Sequence, residues 1–454
     1  MTIRNCLLAA ALASLAGCGA LLETPYRAPE VELPDAWEAR GGSAASEGEA
    51  DHWWQAFGDA RLDSLIDRAL ARNADLALAA IRLERARMQA GLADTNLTPD
   101  ASLGGQSSVS KALRHDNPSQ REYGLTFQLG YELDLWGKLA RTRDAAAWAS
   151  EASRFDLDSA RLSLIGATAS TYWTIAELNA RLADAQADIR DARRIEALVA
   201  ARYRAGADGM AELALARRAM AGNEAAYEQL LQQREAQRRT LTTLLDEAVP
   251  LDEIAGFVLP DGPEPDVRPG LPASVLQARP DVAAAQARIR ASLAAHDASK
   301  AGFFPTLSLT GTVGTAHRDL GHVLTNPIGT LGAGLALPFL QWNTVRLNVG
   351  ISRTEYEESV VLYRKTLYQA FAEVSEALGQ RESLLREAAP LLDARRAAQA
   401  AEKAGAARYR AGKQTIRFWL EDRQALRTAQ AAVERNRLNR LRVRMMLYQA
   451  LGGG

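Results

Sequence analysis

The side chains that carry most enzyme chemistry are sparse in this chain and poorly spaced for it. Among 454 residues there are five histidines, His52, His115, His296, His317 and His322, and they form no metal-ligand spacing on one helix. The only paired instance, His317 and His322 in HRDLGH, falls in an expected outward loop between strands and reads as a polar loop. There is no P-loop, no glycine fingerprint opening a helix after a strand, no His-Glu-x-x-His and no nucleophile elbow. No catalytic residue, metal or soluble cofactor is therefore expected. The 54 Lys and Arg balance 55 Asp and Glu for a net charge of −1, so the chain lacks the basic footprint of a nucleic-acid binder.

One residue does promise covalent chemistry. The N-terminus reads MTIRNCLLAAALASLAGCGA, with Arg4 as a charged n-region and Leu7–Leu15 as a short apolar h-region of signal-peptide size. Leu15-Ala16-Gly17-Cys18 then resembles the lipobox of bacterial lipoproteins, in which the Cys is acylated and becomes the first residue. This implies a diacylglycerol and an N-acyl chain on Cys18. Cys6 is the only other cysteine and would leave with the signal, so the mature chain would have neither a free thiol nor a disulfide. Gly19 replaces the Asp that often retains such proteins at the inner membrane, which favours the outer membrane.

The elements that carry the remaining polar groups have two periods. From Asp59 the pattern is helical, with Leu62, Leu65, Ile66, Ala69 and Leu70 on one face. From Tyr123 to Leu135 every second residue is apolar or aromatic, and Gly124, Thr126, Gln128, Gly130, Glu132 and Asp134 lie between. Leu307, Leu309 and Val313 repeat the alternation, as do Leu331, Ala333, Leu335, Leu337 and Phe339, with Ala101, Leu103 and Val109 as a weaker version. Strands are thus predicted at about 97–110, 121–135, 305–316 and 328–340. Each has roughly the ten residues that a tilted strand needs to cross a bilayer.

Four strands cannot stay open in hydrocarbon, because each unpaired edge N–H or C=O costs several kcal/mol. The chain must pool its strands with copies of itself. Two copies close a barrel that side chains fill, whereas three close one with room for a lumen. A homotrimer suits a channel best, and its lumen would be lined by Gln128, Glu132 and Asp134.

The rest of the chain is built for length. No proline occurs between Pro118 and Pro250, and Ala, Leu, Arg, Glu and Gln dominate after Trp136. A helix from Leu139 to about Arg204 would measure roughly 100 Å, too long for anything but a coiled-coil-like rod. The hexapeptide ARYRAG ends that rod and recurs at Ala407–Gly412, an offset of 407 − 201 = 206 residues. The same offset relates Asp75 to Asp281, Pro99 to Pro305 and Trp136 to Trp342, which marks a duplication. Gly206 and Gly412 are the expected left-handed residues of the two turns. A return helix runs from near Met210 to Asp246; the second copy has a rod from about Thr344, interrupted by Pro390, and a return to Leu451.

The predicted organisation is a signal peptide at 1–17, a lipid-anchored extension at 18–58, repeat one at 59–250, a Pro/Gly-rich linker at 251–272 and repeat two at 273–454. The fold class is mixed α and membrane β, two tandem repeats each giving two strands and long helices.

The lipobox, WWQAFGDARLDSLI, YELDLWGK, LPASVLQARPDV and AGFFPTLSLTG together resemble TolC-like outer-membrane efflux lipoproteins of the NodT/OprM branch, over the whole chain. The resemblance implies a homotrimer with a twelve-stranded barrel in outer-membrane lipid, continuous with an α-helical tunnel across the periplasm. It also implies a periplasmic adaptor and an inner-membrane pump of the resistance-nodulation-division type as partners. Carried over, Arg204, Ala205, Gly206, Arg410, Ala411 and Gly412 become adaptor-docking tips. The family closes its tip with an acidic ring just after the second turn, where this chain reads Leu420-Glu421-Asp422-Arg423-Gln424. Glu421 matches the acidic position, Gln424 replaces the usual Arg, and Phe418 stands where some members have Asp. The implied gate is Glu421 and Asp422 with Arg417, Arg423 and Gln424, carried mainly by the second copy. A passive exit duct of an efflux pump follows, against a protein-secretion duct or a non-conducting structural lipoprotein.

Overall fold

The computed structural model describes residues 23–31, 52–111, 119–260 and 276–453. The expected signal peptide, Cys18, His115 and most of the inter-repeat linker lie outside them. Two compact units emerge, and each draws on both repeats: one takes residues 1–31, 81–155 and 283–366, the other 32–80, 156–282 and 367–454.

The first unit holds all four described strands: β1 (Asp100–Ser110), β2 (Gln120–Leu133), β3 (Thr306–His317) and β4 (Pro327–Ala336). They form one antiparallel sheet in the order β1-β2-β3-β4. The register sorts residues by chemistry. One transverse row reads Leu103, Phe127, Val313 and Gly329; the next reads Ser102, Gln128, Thr312 and Thr330. Successive side chains point to opposite faces, so one face is apolar and the other carries small polar groups. Neither is covered by the described residues. Leu103 is 68% and Leu331 92% exposed, and every residue of β4 is exposed. A sheet without a core on either side needs lipid on its greasy face and water on the other, and its β1 and β4 edges need neighbours.

Three strand ends depart from the expected bounds. β1 starts at Asp100 because Leu97 and Thr98 donate into turns, to the carbonyls of Asp94 and Thr95. β2 stops at Leu133, since Asp134 turns away to cap the next helix and Gly137 adopts φ +75°. β4 stops at Ala336: Pro338 cannot donate to a ladder, and Pro338–Gln341 winds into a 3₁₀ turn that takes Phe339 out of the strand.

Helices α1 (Ala60–Arg72) and α2 (Ala74–Thr95) precede the strands. α3 (Lys138–Arg204) is a single helix of 67 residues, followed by α4 (Met210–Leu245) and the short α5 (Leu251–Ala255). The second copy has α6 (Pro280–Ala301), the 69-residue α7 (Trp342–Arg410) and α8 (Ile416–Ala450). Each long helix spans about 100 Å at 1.5 Å per residue. Pro390 sits inside α7, which continues to Arg410.

The second unit is organised around an apolar core of Trp54, Leu62, Ile66, Trp173, Leu241 and Leu245 with their neighbours. Asp59 caps α1 by accepting from the Arg61 and Leu62 amides, and its other oxygen accepts from the Tyr172 hydroxyl at 2.7 Å. Two expected boundaries change here. Trp53–Phe57, assigned to the N-terminal extension, is a 3₁₀ turn buried in this core, with Trp53 stacked 5.0 Å from Tyr448. The first part of the expected linker is also core, because Ile254, Phe257 and Leu259 are apolar and buried while Asn179 binds the carbonyls of Ile254 and Phe257.

Candidate gate and channel wall

Both rods end in the same way. In the first, the Ala207 amide donates to the Arg202 carbonyl at 2.8 Å and the Gly206 amide to Tyr203 at 3.0 Å; Gly206 has φ +75°. In the second, Lys413 donates to Arg408 and Gly412 to Tyr409, both at 2.9 Å, with Gly412 at φ +72°. These are Schellman closures, which need a residue without a Cβ in the left-handed region. Arg204, Ala205, Gly206, Arg410, Ala411 and Gly412 are all exposed. The Arg204 guanidinium binds the Ala200 carbonyl of its own helix, and Arg410 lies 5.8 Å from the Trp419 ring.

Identical turns have different surroundings. Tyr409 is 1% exposed in a cluster with Val199, Leu213, Ile416 and Trp419, whereas its counterpart Tyr203 is 39% exposed. The Tyr409 hydroxyl donates to Asp208 Oδ2 at 2.8 Å, and Arg202 Nε meets the same oxygen at 3.0 Å. Burial and the Asp208 carboxylate push the Tyr409 hydroxyl pKa up, so it stays a donor at any physiological pH. One bond thus ties the first repeat's turn to the second repeat's rod.

A second tie lies further along. Arg423, with a side chain 14% exposed, reaches Asp188 at 3.1 Å and Asp191 at 3.2 Å, and Arg427 pairs with Asp188 at 2.8 Å and binds Asn223 at 2.6 Å. Trp419 Nε1 donates to Glu402 at 2.9 Å. The ties join α8 to α3, α4 and α7, and α3, α4 and α8 line a groove of about 690 Å³.

The acidic residues inferred for the gate sit elsewhere. Glu421 pairs with Arg417 at 2.8 Å, but both are exposed and one turn apart on α8, so the contact links nothing to a second helix. Asp422 lies over Gly405, so close that an added Cβ there would meet its Oδ2, and it makes no hydrogen bond among the described residues. Gln424 lines the groove beside Arg423 and Arg427. Within one chain, the inter-helix ties take their carboxylates from the first copy, at Asp188, Asp191 and Asp208. The signal that could have found them is the duplication itself. Asp208 and Gln414 are equivalent (414 − 208 = 206), and the Arg202–Asp208 ion pair has as its counterpart a long Arg408–Gln414 hydrogen bond of 3.4 Å.

On the wall, Gln128 occupies the polar row with Ser102 and Thr312. Glu132, near the end of β2, pairs with Lys138 at 3.2 Å. Asp134 is not a wall residue: it lies beyond β2 and accepts the amides of Leu139 at 3.0 Å and Ala140 at 2.8 Å, capping α3. His317 and His322 flank Asp319, with ring centres 5.5 Å apart, and no group of three or more metal-ligating side chains forms among the described residues. No described helix is long and apolar enough to cross a membrane.

Comparison with known proteins fits this geometry. The family model for outer membrane efflux protein matches residues 65–247 and 271–453, one match per repeat. A pyoverdine export outer membrane protein, OpmQ, of Pseudomonas putida is 32% identical over 93% of this chain and 92% of its own length. Toxin and drug export protein A of Aggregatibacter actinomycetemcomitans is 30% identical over 88% of each chain. Among solved structures, the open state of the Neisseria gonorrhoeae MtrE outer membrane channel is 27% identical with a TM-score of 0.80, covering 95% of this chain and 98% of that one. The Campylobacter jejuni CmeC outer membrane channel is 25% identical with a TM-score of 0.86, covering 95% of each. Such channels are trimers, in which three four-stranded sheets (3 × 4) make the twelve-stranded barrel that the open edges of this sheet require, and they work with an adaptor and an inner-membrane pump. The chain belongs to the outer membrane efflux protein family and is an outer-membrane channel subunit of an efflux pump.

Proposed function

We propose that the trimer is a passive duct for small organic molecules, closed at its periplasmic tip in the state described and opened when an adaptor and a pump of the resistance-nodulation-division type engage it. The observation that carries this reading is the Asp208–Tyr409 bond, with Arg202 beside it, because it fastens one hairpin to the other at the far end of both rods. Parting the hairpins must break it. Arg423, held by Asp188 and Asp191, fastens the next turns of helix. The exposed Arg204–Gly206 and Arg410–Gly412 turns are the surfaces an adaptor would meet, six per trimer (2 × 3), nearly equivalent through the duplication. Glu421, Asp422, Arg417 and Gln424 then act on the surface near the tip, not as its fasteners.

Cys18 is the proposed lipid attachment, and the acyl chains would hold the trimer in the outer membrane alongside its barrel. Pumping energy comes from the partner, since the duct has no catalytic constellation of its own. The names of the relatives (pyoverdine export, toxin and drug export) point to more than one kind of exported molecule, and a wall of Ser, Thr, Gln and Gly suits a duct with little selectivity.

Conductance of the purified trimer in planar bilayers tests the duct. The intact protein is expected to conduct weakly, and Asp208→Ala to conduct strongly. A trimer that stays silent with Asp208 removed would refute the duct.

A further inference from the structure

The segment Glu23–Val31 crosses one face of α6 near the start of the barrel strands. Its attachments form a ladder. Glu23 pairs with Arg141 at 2.5 Å, in the first turn of α3. The Thr24 amide and hydroxyl both donate to Asp297, at 2.8 and 2.7 Å, and Lys300 donates to the Thr24 hydroxyl at 2.8 Å. Gln286 donates to the Tyr26 hydroxyl at 3.2 Å. The Arg290 guanidinium lies between two rings, 4.6 Å from Tyr26 and 4.5 Å from Trp148.

Three features make this more than incidental packing. Asp297 is 3% exposed, and a buried carboxylate is held only where donors converge on it; here two of the three come from Thr24. Gln286, Arg290, Asp297 and Lys300 recur at helical spacing, so they form one stripe along α6. The direction is fixed too. Thr24 meets the last turn of α6, four residues before β3 would be reached from Ala301, while Tyr26 meets residues further back. The segment therefore runs away from the strands, and its N-terminal end points toward the rim of the barrel.

We propose that Asp297, Arg290 and Gln286 form a clasp that holds the acylated N-terminus of each subunit against the periplasmic rim of its own four-stranded sheet, so that the lipid anchor delivers that sheet to the membrane. The inference rests on the acylation of Cys18. Glu23 lies five positions after Cys18 (23 − 18 = 5), a reach of at most about 17 Å. Without the clasp, the next buried attachment among the described residues is Trp53, about 35 residues from Cys18. Effective concentration falls roughly as the −3/2 power of tether length, so releasing the clasp dilutes the strands at the membrane surface by a factor of roughly 20.

The test uses the full-length protein with Thr24→Val and Tyr26→Ala together, which opens the clasp from the segment's side and leaves every helix intact; Asp297→Ala opens it from the other. Three readouts are needed: the mass of the N-terminal peptide, the rate of tryptic cleavage after the exposed Arg27, and the rate at which heat-stable trimer appears in outer membranes. Acylated mass in all forms, faster cleavage in the variants and trimer formation slowed on the order of 20-fold are the expected results. The same variants are then compared in a form secreted without lipid, with Cys18→Ser behind a non-lipoprotein signal peptide. There the clasp should make no difference to the rate. Variants that slow both forms equally would show a structural strut and overturn the proposal, as would lipidated variants that insert at the normal rate. A wild-type N-terminal peptide without acyl mass would instead remove the lipidation reading on which the proposal stands.

Discussion

Replacing Tyr409 by Phe deletes one oxygen and leaves the ring in place. The ring is 1% exposed and packs 5.5 Å from Trp419, so the apolar cluster at the tip keeps its shape. What is lost is the hydrogen bond to the Asp208 carboxylate. A bond to a charged acceptor contributes about 1.5–3 kcal/mol, which moves the closed-to-open balance of one subunit by roughly 10- to 150-fold. If the three subunits open together, the shifts multiply. Single-channel recording in planar bilayers reads the open fraction directly, and Tyr203→Phe is the control: it changes the same letter of the same hexapeptide at an exposed site with no partner among the described residues. The expected result is a large gain in open probability for Tyr409→Phe and none for Tyr203→Phe. Equal behaviour of the two variants would refute the idea that the tip is fastened by this bond. A pH scan sharpens the test. The Tyr409 hydroxyl has its pKa raised in the fold, so its contribution is intact below about pH 10, the ordinary tyrosine value, and declines only as alkaline pH rises toward the higher folded value. Between pH 5 and 9 the hydroxyl leaves the closed state unchanged.

The remaining expectations concern the second fastening, the wall and the apolar core around Trp54. Arg423→Ala removes the inter-helix partner of Asp191 and leaves Asp188 with Arg427, and should weaken closure by about 1–2 kcal/mol, raising open probability in the same recordings, whereas Arg417→Ala, on an exposed face, should leave it unchanged. Leu331→Arg, on the apolar face of β4, should cost about 2–4 kcal/mol and cut the yield of membrane-inserted trimer, while Thr330→Arg, on the polar face, should insert normally and shift ion selectivity toward anions in reversal-potential measurements. The Asp63 carboxyl is held above the usual carboxylate range by burial, with Asp59 and Asp67 adding to it. Its charged form is therefore disfavoured by the fold, so stability is regained as pH falls toward 4 and lost as pH rises. Asp63→Asn should raise thermal stability at pH 7.5 by about 0.5 kcal/mol, and the advantage should vanish near pH 4.

Periodicity and duplication made the elements legible. The alternation in Tyr123–Leu133 needs no partner to declare a two-faced strand, and the proline-free stretch after Trp136 needs none to declare a rod. Gly206 and Gly412 were readable as left-handed closures because only glycine takes that backbone without strain. Boundaries were less legible. Leu337 and Phe339 continue the alternation past the point where Pro338 ends the ladder, and Asp134 continues the polar register of β2 while its carboxylate serves the amides of α3. Local pattern extends an element until a hydrogen bond from outside it intervenes, and that bond is invisible in a single strand of text.

The site shows the same division more sharply. The repeated hexapeptide by itself established two equal turns, both closed by glycine. Sequence determined as well that four amphipathic strands must be completed by other copies of the chain, because open edges are not tolerated in lipid. It took the packed fold to show that Tyr409 is buried and Tyr203 is not, that Asp208 is the partner, and that Arg423, and not Glu421, ties α8 to the first repeat. A repeated hexapeptide encodes its own hydrogen bonds twice. Its side chains acquire different roles because the two copies pack against different neighbours, and burial is a property of those neighbours.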